Sequence, residues 1–157
     1  MEYNLIKHEK KRQYKRHTAD EALKMIINQI EQVNSMDDFV YFVDKAVLFG
    51  SYLDIDKQTL GDIDIAIYLS PKRTDVDEME LNLNRSYKKD YSGAFCNRLF
   101  YGREEVCKFI KNRKSVVSLH AGREAEIESL KFNEDVCYIY LNKYAIIYDR
   151  EEKNSSS

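Results

Sequence analysis

The run DIDIAIYL, residues 62–69, constrains this chain more than any other stretch. Side chains alternate across an extended strand, so Ile63, Ile65 and Ile67 share one face while Asp62, Asp64 and Ala66 share the other. Three isoleucines make the first face a buried one. The second face then carries two carboxylates side by side, which repel each other unless a cation compensates them. Another apolar run, Ala46–Phe49, ends directly at Gly50-Ser51, and the polar stretch Asp54–Gly61 leads from there back to residue 62. The pattern predicts two strands, with a glycine-serine turn closing one and paired acids opening the other.

Helical periodicity surrounds these strands. Leu23, Ile26, Ile27, Ile30 and Val33 recur at three- and four-residue intervals and predict a helix over 19–33, with Thr18 and Glu21 as its capping box. Ser35 with Asp38 is expected to cap a second, short helix through Phe39, Phe42 and Val43. Thr74 is the expected cap of a helix over 75–89, GREEVCKFIKN (102–112) reads as another helix, and Val116–His120 reads as a third strand. The runs VCYIYL (136–141) and YAIIYD (144–149) are apolar and β-rich, and fit either a hairpin turning at Asn142-Lys143 or a helix followed by a strand.

With 157 residues, 43% hydrophobic and 33% charged, the chain has the size and composition of one globular domain. Its expected limits are a basic arm over 1–17, a domain over 18–150 and a disordered polar tail over 151–157. A formal net charge of −2 carries no global polyanion-binding signature. Any nucleic-acid contact would fall to the basic run KHEKKRQYKR (7–16), which reads more simply as a solvated arm. Cys96, Cys107 and Cys137 are odd in number and lack metal-type spacing, which fits buried, reduced thiols. No run approaches the ~18 apolar residues of a membrane span and the N-terminus has no signal-peptide core, so a cytoplasmic location is expected.

The paired carboxylates suit a hard divalent ion, magnesium first and manganese as the alternative. Such an ion takes one or two protein carboxylates and the phosphates of a bound nucleotide. Glycine lets backbone approach a phosphate closely, and the Ser51 hydroxyl and following amides can donate to its oxygens. Lys57, Lys72 and Arg73 flank the strands as possible neutralising charges, although each reads more simply as surface.

Gly50-Ser51, ten residues, then Asp62-Ile63-Asp64 resembles the G-S-x10-D-x-D signature of the minimal nucleotidyltransferases, small members of the DNA polymerase β-like superfamily. The apolar flanks AVLFGSY and GDIDIAIYL resemble theirs as well, and YAIIYDR resembles their closing strand. The resemblance implies a small α/β domain, a mixed sheet backed by helices. It also implies metal-dependent transfer of a nucleoside monophosphate, most simply AMP from ATP, to a hydroxyl. On that reading Asp62 and Asp64 are the catalytic metal ligands, and Gly50 and Ser51 hold the triphosphate.

Active members carry a third carboxylate on a later strand. Here the matching strand is SVVSLH, and the equivalent position holds Ser118, with His120 two residues on. Serine supplies no charge, whereas a neutral histidine can accept a proton. Glu124, Glu126 and Glu128 follow as a charged run that reads as a solvated face. The chain has little room for a helical acceptor domain, and the small stand-alone members often act beside a helical partner, some as antitoxins that modify their toxin. The expected acceptor is therefore a partner protein. The alternative is a degenerate domain of the same fold that binds a nucleotide or a partner without turnover.

Overall fold

The computed structural model describes residues 12–121 and 144–156. A two-residue strand, β1 (Tyr14–Lys15), leads into a long helix, α1 (Arg16–Ser35). Then follow β2 (Tyr41–Phe49), a 3-10 turn at Gly50–Leu53, β3 (Thr59–Leu60) and β4 (Ile63–Pro71). Three helices come next, α2 (Glu78–Lys88), α3 (Phe95–Arg98) and α4 (Tyr101–Lys111). Strand β5 (Val117–His120), strand β6 (Tyr144–Asp149) and helix α5 (Arg150–Ser155) complete the described part.

The main sheet runs β5-β4-β2-β6. Strand β2 is antiparallel to both β4 and β6, while β4 and β5 are parallel and connected through α2–α4. Helices thus back a mixed sheet, as the resemblance implied. The isoleucine face of β4 does what its alternation requires: Ile63, Ile65 and Ile67 are buried with Ala19, Ala22, Ile26, Ile30 and Val33 of α1 and with Val106 and Ile110 of α4. A smaller cluster, Val47 and Ala66 with Phe49 and Tyr68 packed against it, lies apart from that core. Asp64 and Ala66 alternate with the isoleucines, so this cluster marks the opposite face of the sheet.

Several expectations give way here. Helix α1 starts at Arg16, three residues before the expected start, and its N-cap Lys15 makes no side-chain capping bond, so the Thr18–Glu21 box is not used. The chain enters α1 directly from the β1–β3 ribbon, which leaves Thr18 inside the first turn. No helix follows Ser35; β2 begins at Tyr41 instead. Phe39, Phe42 and Val43 are spaced as on one helix face, but Phe39, Tyr41 and Val43 are the buried ones, the period of a strand, and a register shift between Val43 and Lys45 breaks that alternation before Ala46. Asn34 holds that bulge: its Oδ1 accepts from Val43 N at 2.7 Å, and its Nδ2 donates to Val43 O at 2.9 Å.

Asp77, not Thr74, caps α2, accepting from Met79 N at 2.8 Å and Glu80 N at 3.4 Å. The tail expected to be disordered from residue 151 forms α5, where Asp149 accepts from Glu151 N at 3.0 Å and Lys153 reaches Glu31 at 2.5 Å. Cys96 is exposed, against the expectation of burial, because α3 is a single turn on the surface; Cys107 is half-buried. Residues 136–143, Cys137 and the Glu124–Glu128 run lie outside the described residues. No helix among the described residues is long and apolar enough to cross a membrane.

Candidate nucleotide and metal site

Strand β2 ends at Phe49, whose register partner on β4 is Asp64. The next residue, Gly50, turns the chain with φ +81°, a left-handed conformation that glycine adopts without steric cost. A Cβ at this position would stand 3.0 Å from Asp64 Oδ2. The glycine is therefore required twice, by its backbone angle and by the carboxylate lying against it. Ser51 follows inside the 3-10 turn, half-buried. Asp62 immediately precedes β4, and the amide of Ile63 donates to Val116 O at 2.7 Å, which ties this corner to the start of β5.

The parallel register then sets the other side of the site. Asp64 lies opposite Ser118, and Ala66 opposite His120. His120 Nε2 is 3.0 Å from Asp64 Oδ1 and 3.4 Å from Ser118 Oγ, with the ring tilted against Phe49 at 5.2 Å between centroids. One oxygen of Asp64 thus faces the histidine while the other faces the glycine turn. The structure brings Gly50, Asp64, Ser118 and His120 into direct proximity, with Ser51 next to Gly50 in the chain and Asp62 two residues before Asp64. The position opposite Asp64 carries a hydroxyl, and an imidazole stands two residues further along β5.

The donors fit a magnesium ion bound together with phosphates. Among the described residues no three His, Cys, Asp or Glu side chains cluster to hold a metal alone. Two half-buried carboxylates at a strand end match an ion that keeps water and substrate phosphates in its remaining positions.

Other sequence-derived candidates fall elsewhere. Lys72 follows the far end of β4, where its ammonium donates to Val33 O at 2.7 Å and Met36 O at 2.6 Å and so closes the C-terminus of α1. Burial lowers its pKa from the ordinary lysine value. Arg73, beside it, pairs with Asp75.

Sequence reasoning missed the attachment of the glycine-serine loop to α1. Arg16, hidden in a basic run, donates to three loop carbonyls: Lys57 O at 2.9 Å, Tyr52 O at 3.1 Å and Asp54 O at 2.6 Å. The Tyr52 hydroxyl donates to Asp20 Oδ1 at 2.6 Å. Burial, and then that bond to a carboxylate, push the tyrosine pKa up to about 12. A short β-ribbon, Tyr14–Lys15 against Thr59–Leu60, would have been the only signal, and two-residue strands leave none.

A mixed sheet with a left-handed glycine against one of two adjacent acids defines a nucleotidyltransferase-type domain. The family model described as "Polymerase beta, Nucleotidyltransferase" matches residues 28–118, from within α1 to Ser118, and the chain belongs to that family. Neither the curated proteins nor the solved structures compared with it gave a match.

Proposed function

We propose that this nucleotidyltransferase domain transfers AMP from ATP, with a divalent ion, to a hydroxyl on a partner protein, as an antitoxin-like modifier. The observation that carries the nucleotide half is the contact of Gly50 with Asp64, which sets a close-approach backbone turn directly beside a paired carboxylate. Asp62 and Asp64 would hold magnesium, which when bound neutralises triphosphate charge and supports the charge that develops during transfer. Gly50 leaves room for a phosphate against the backbone, and Ser51 donates its hydroxyl to a phosphate oxygen. His120, fixed against Asp64, orients that carboxylate.

The protein acceptor rests on the family resemblance. A second reading, a domain that binds without turnover, is favoured by one observation: Ser118 occupies the register position opposite Asp64 where a third carboxylate would complete an active site.

Calorimetric titration of the four common nucleoside triphosphates with magnesium tests both. The proposal expects binding of ATP above the others, lost when Asp62→Asn and Asp64→Asn are combined, and pyrophosphate release once an acceptor is supplied. Binding without pyrophosphate release across candidate acceptors would favour the second reading. Absence of any triphosphate binding would overturn the first reading and the nucleotide site, and leave the second as a domain that binds a partner.

A further inference from the structure

We infer that Arg16 is a positioning residue for the nucleotide, acting through the loop that follows Gly50-Ser51. The inference rests on the reading of that turn as the triphosphate-holding element. Arg16 lies one residue beyond β1, and its own amide donates to Gln58 O at 3.1 Å, so its backbone is fixed relative to the far end of the loop. From there its guanidinium collects carbonyls from three separate points along the loop, Tyr52, Asp54 and Lys57. It also lies over the Tyr52 ring at 5.1 Å. A fork of five donors in one plane suits this task, and a single ammonium cannot reproduce it.

The consequence for the loop follows from peptide geometry. A trans peptide carries its N–H opposite its C=O, so carbonyls gathered onto Arg16 turn the amides of Leu53, Ile55 and Gln58 away from it. The loop otherwise has few internal restraints. Asp54 N donates to Ser51 O at 3.1 Å, Lys57 N to Asp54 O at 3.2 Å, and Ile55 at its tip is 81% exposed. Without Arg16, the Tyr52 hydroxyl still ties residue 52 to Asp20 of α1, but residues 54–57 lose their hydrogen bonds to that helix, and the Ser51 hydroxyl and its neighbouring amides lose their fixed aim. Preorganised donors bind an anion with less ordering cost than mobile ones.

The test is calorimetric titration of magnesium-ATP into the wild type, Arg16→Ala and Arg16→Lys, with hydrogen exchange followed over residues 50–58. Both variants should bind at least about tenfold more weakly, the size of one lost charge-assisted hydrogen bond. Exchange in the loop should quicken in both. Arg16→Lys keeps charge, alkyl chain and backbone pairing, so it carries the test if Arg16→Ala does not fold. A merely structural role would lower the melting temperature and leave the affinity of the folded protein unchanged. Variants that bind like the wild type would overturn the inference and spare the nucleotide site. A wild type that binds no triphosphate would overturn the nucleotide reading itself, and this inference with it.

Discussion

The two ends of β4 handle charge in opposite ways. Past its C-terminal end, Lys72 is spent on the carbonyls of α1, and Arg85 and Glu105 face each other between α2 and α4 at 2.9 Å, with side chains only 8% and 17% exposed. Nearby, Arg103 meets Glu78 at 2.8 Å, and the buried Tyr41 and Asn82 link to the same, more exposed glutamate through hydrogen bonds. At the N-terminal end, Asp62 and Asp64 lie two residues apart in the chain, and the ion pairs among the described residues bring only His120, to Asp64. One end satisfies its buried charge internally, which stabilises the fold. The other holds negative charge in excess, which is the arrangement expected where a cation and phosphates bind.

That contrast can be broken at either end. Arg85→Ala leaves Glu105 without its partner in a largely buried place, and should cost about 3–5 kcal/mol of unfolding free energy, read by urea titration. Magnesium-ATP affinity should hold as long as the protein stays folded; a parallel loss of affinity would mean that the two ends are one cooperative unit. Asp64→Asn should do the reverse. Removing one of two adjacent negative charges relieves repulsion, so stability should be unchanged or slightly raised. Nucleotide affinity should fall about a hundredfold, the upper range for weakening a metal site. A collapse of stability in Asp64→Asn would show that the pair is structural.

The same division governs what the sequence revealed. Period-two alternation in residues 62–69 gave the buried and acid faces of β4 directly, since three isoleucines in register have no other good use. Spacing of Gly50-Ser51 to Asp62 and Asp64 anticipated a corner that the β2–β4 register builds. Helix α1 was legible because five apolar positions repeat over its length. The start of β2 was not, because Phe39, Phe42 and Val43 are spaced as on one helix face, and the cap of α2 was assigned to the wrong polar residue among several. Long-range polar contacts were invisible for a deeper reason. Arg16 meets its carbonyls 36 to 41 residues away, and a basic run carries no mark of which member will be turned inward.

Two tyrosines sharpen the comparison further. Tyr41, fully buried at the helical end, has its pKa pushed up to about 12 by burial and by its bond to Glu78. Tyr52, half-buried at the loop, is pushed to about 12 by burial and Asp20. Both ionise at 10.0 when unfolded, so each contributes stability that is fully present below pH 10 and is lost as pH rises through about 12. In urea titrations across that window, Tyr41→Phe and Tyr52→Phe should flatten the alkaline loss to a similar extent, because the two shifts are alike. A much smaller effect of Tyr52→Phe would mean that the loop is packed less firmly than the core.

The smallest effect separates two thiols on the helical side. Cys107, half-buried on α4, has its pKa raised from 9.0 to about 11 by burial, whereas Cys96 lies exposed on α3. The thiolate is the reactive form, so a raised pKa and restricted access act in the same direction. With iodoacetamide at about pH 8, followed by peptide mass, Cys96 should be alkylated at least about tenfold faster than Cys107. Moving to about pH 9 should leave that order intact, since the folded Cys107 thiol is still well below its midpoint. In urea the two rates should converge, because the burial that separates them is gone. Comparable rates in the folded protein would show that α4 opens readily, and that the well-matched end of the molecule is less rigid than its ion pairs imply.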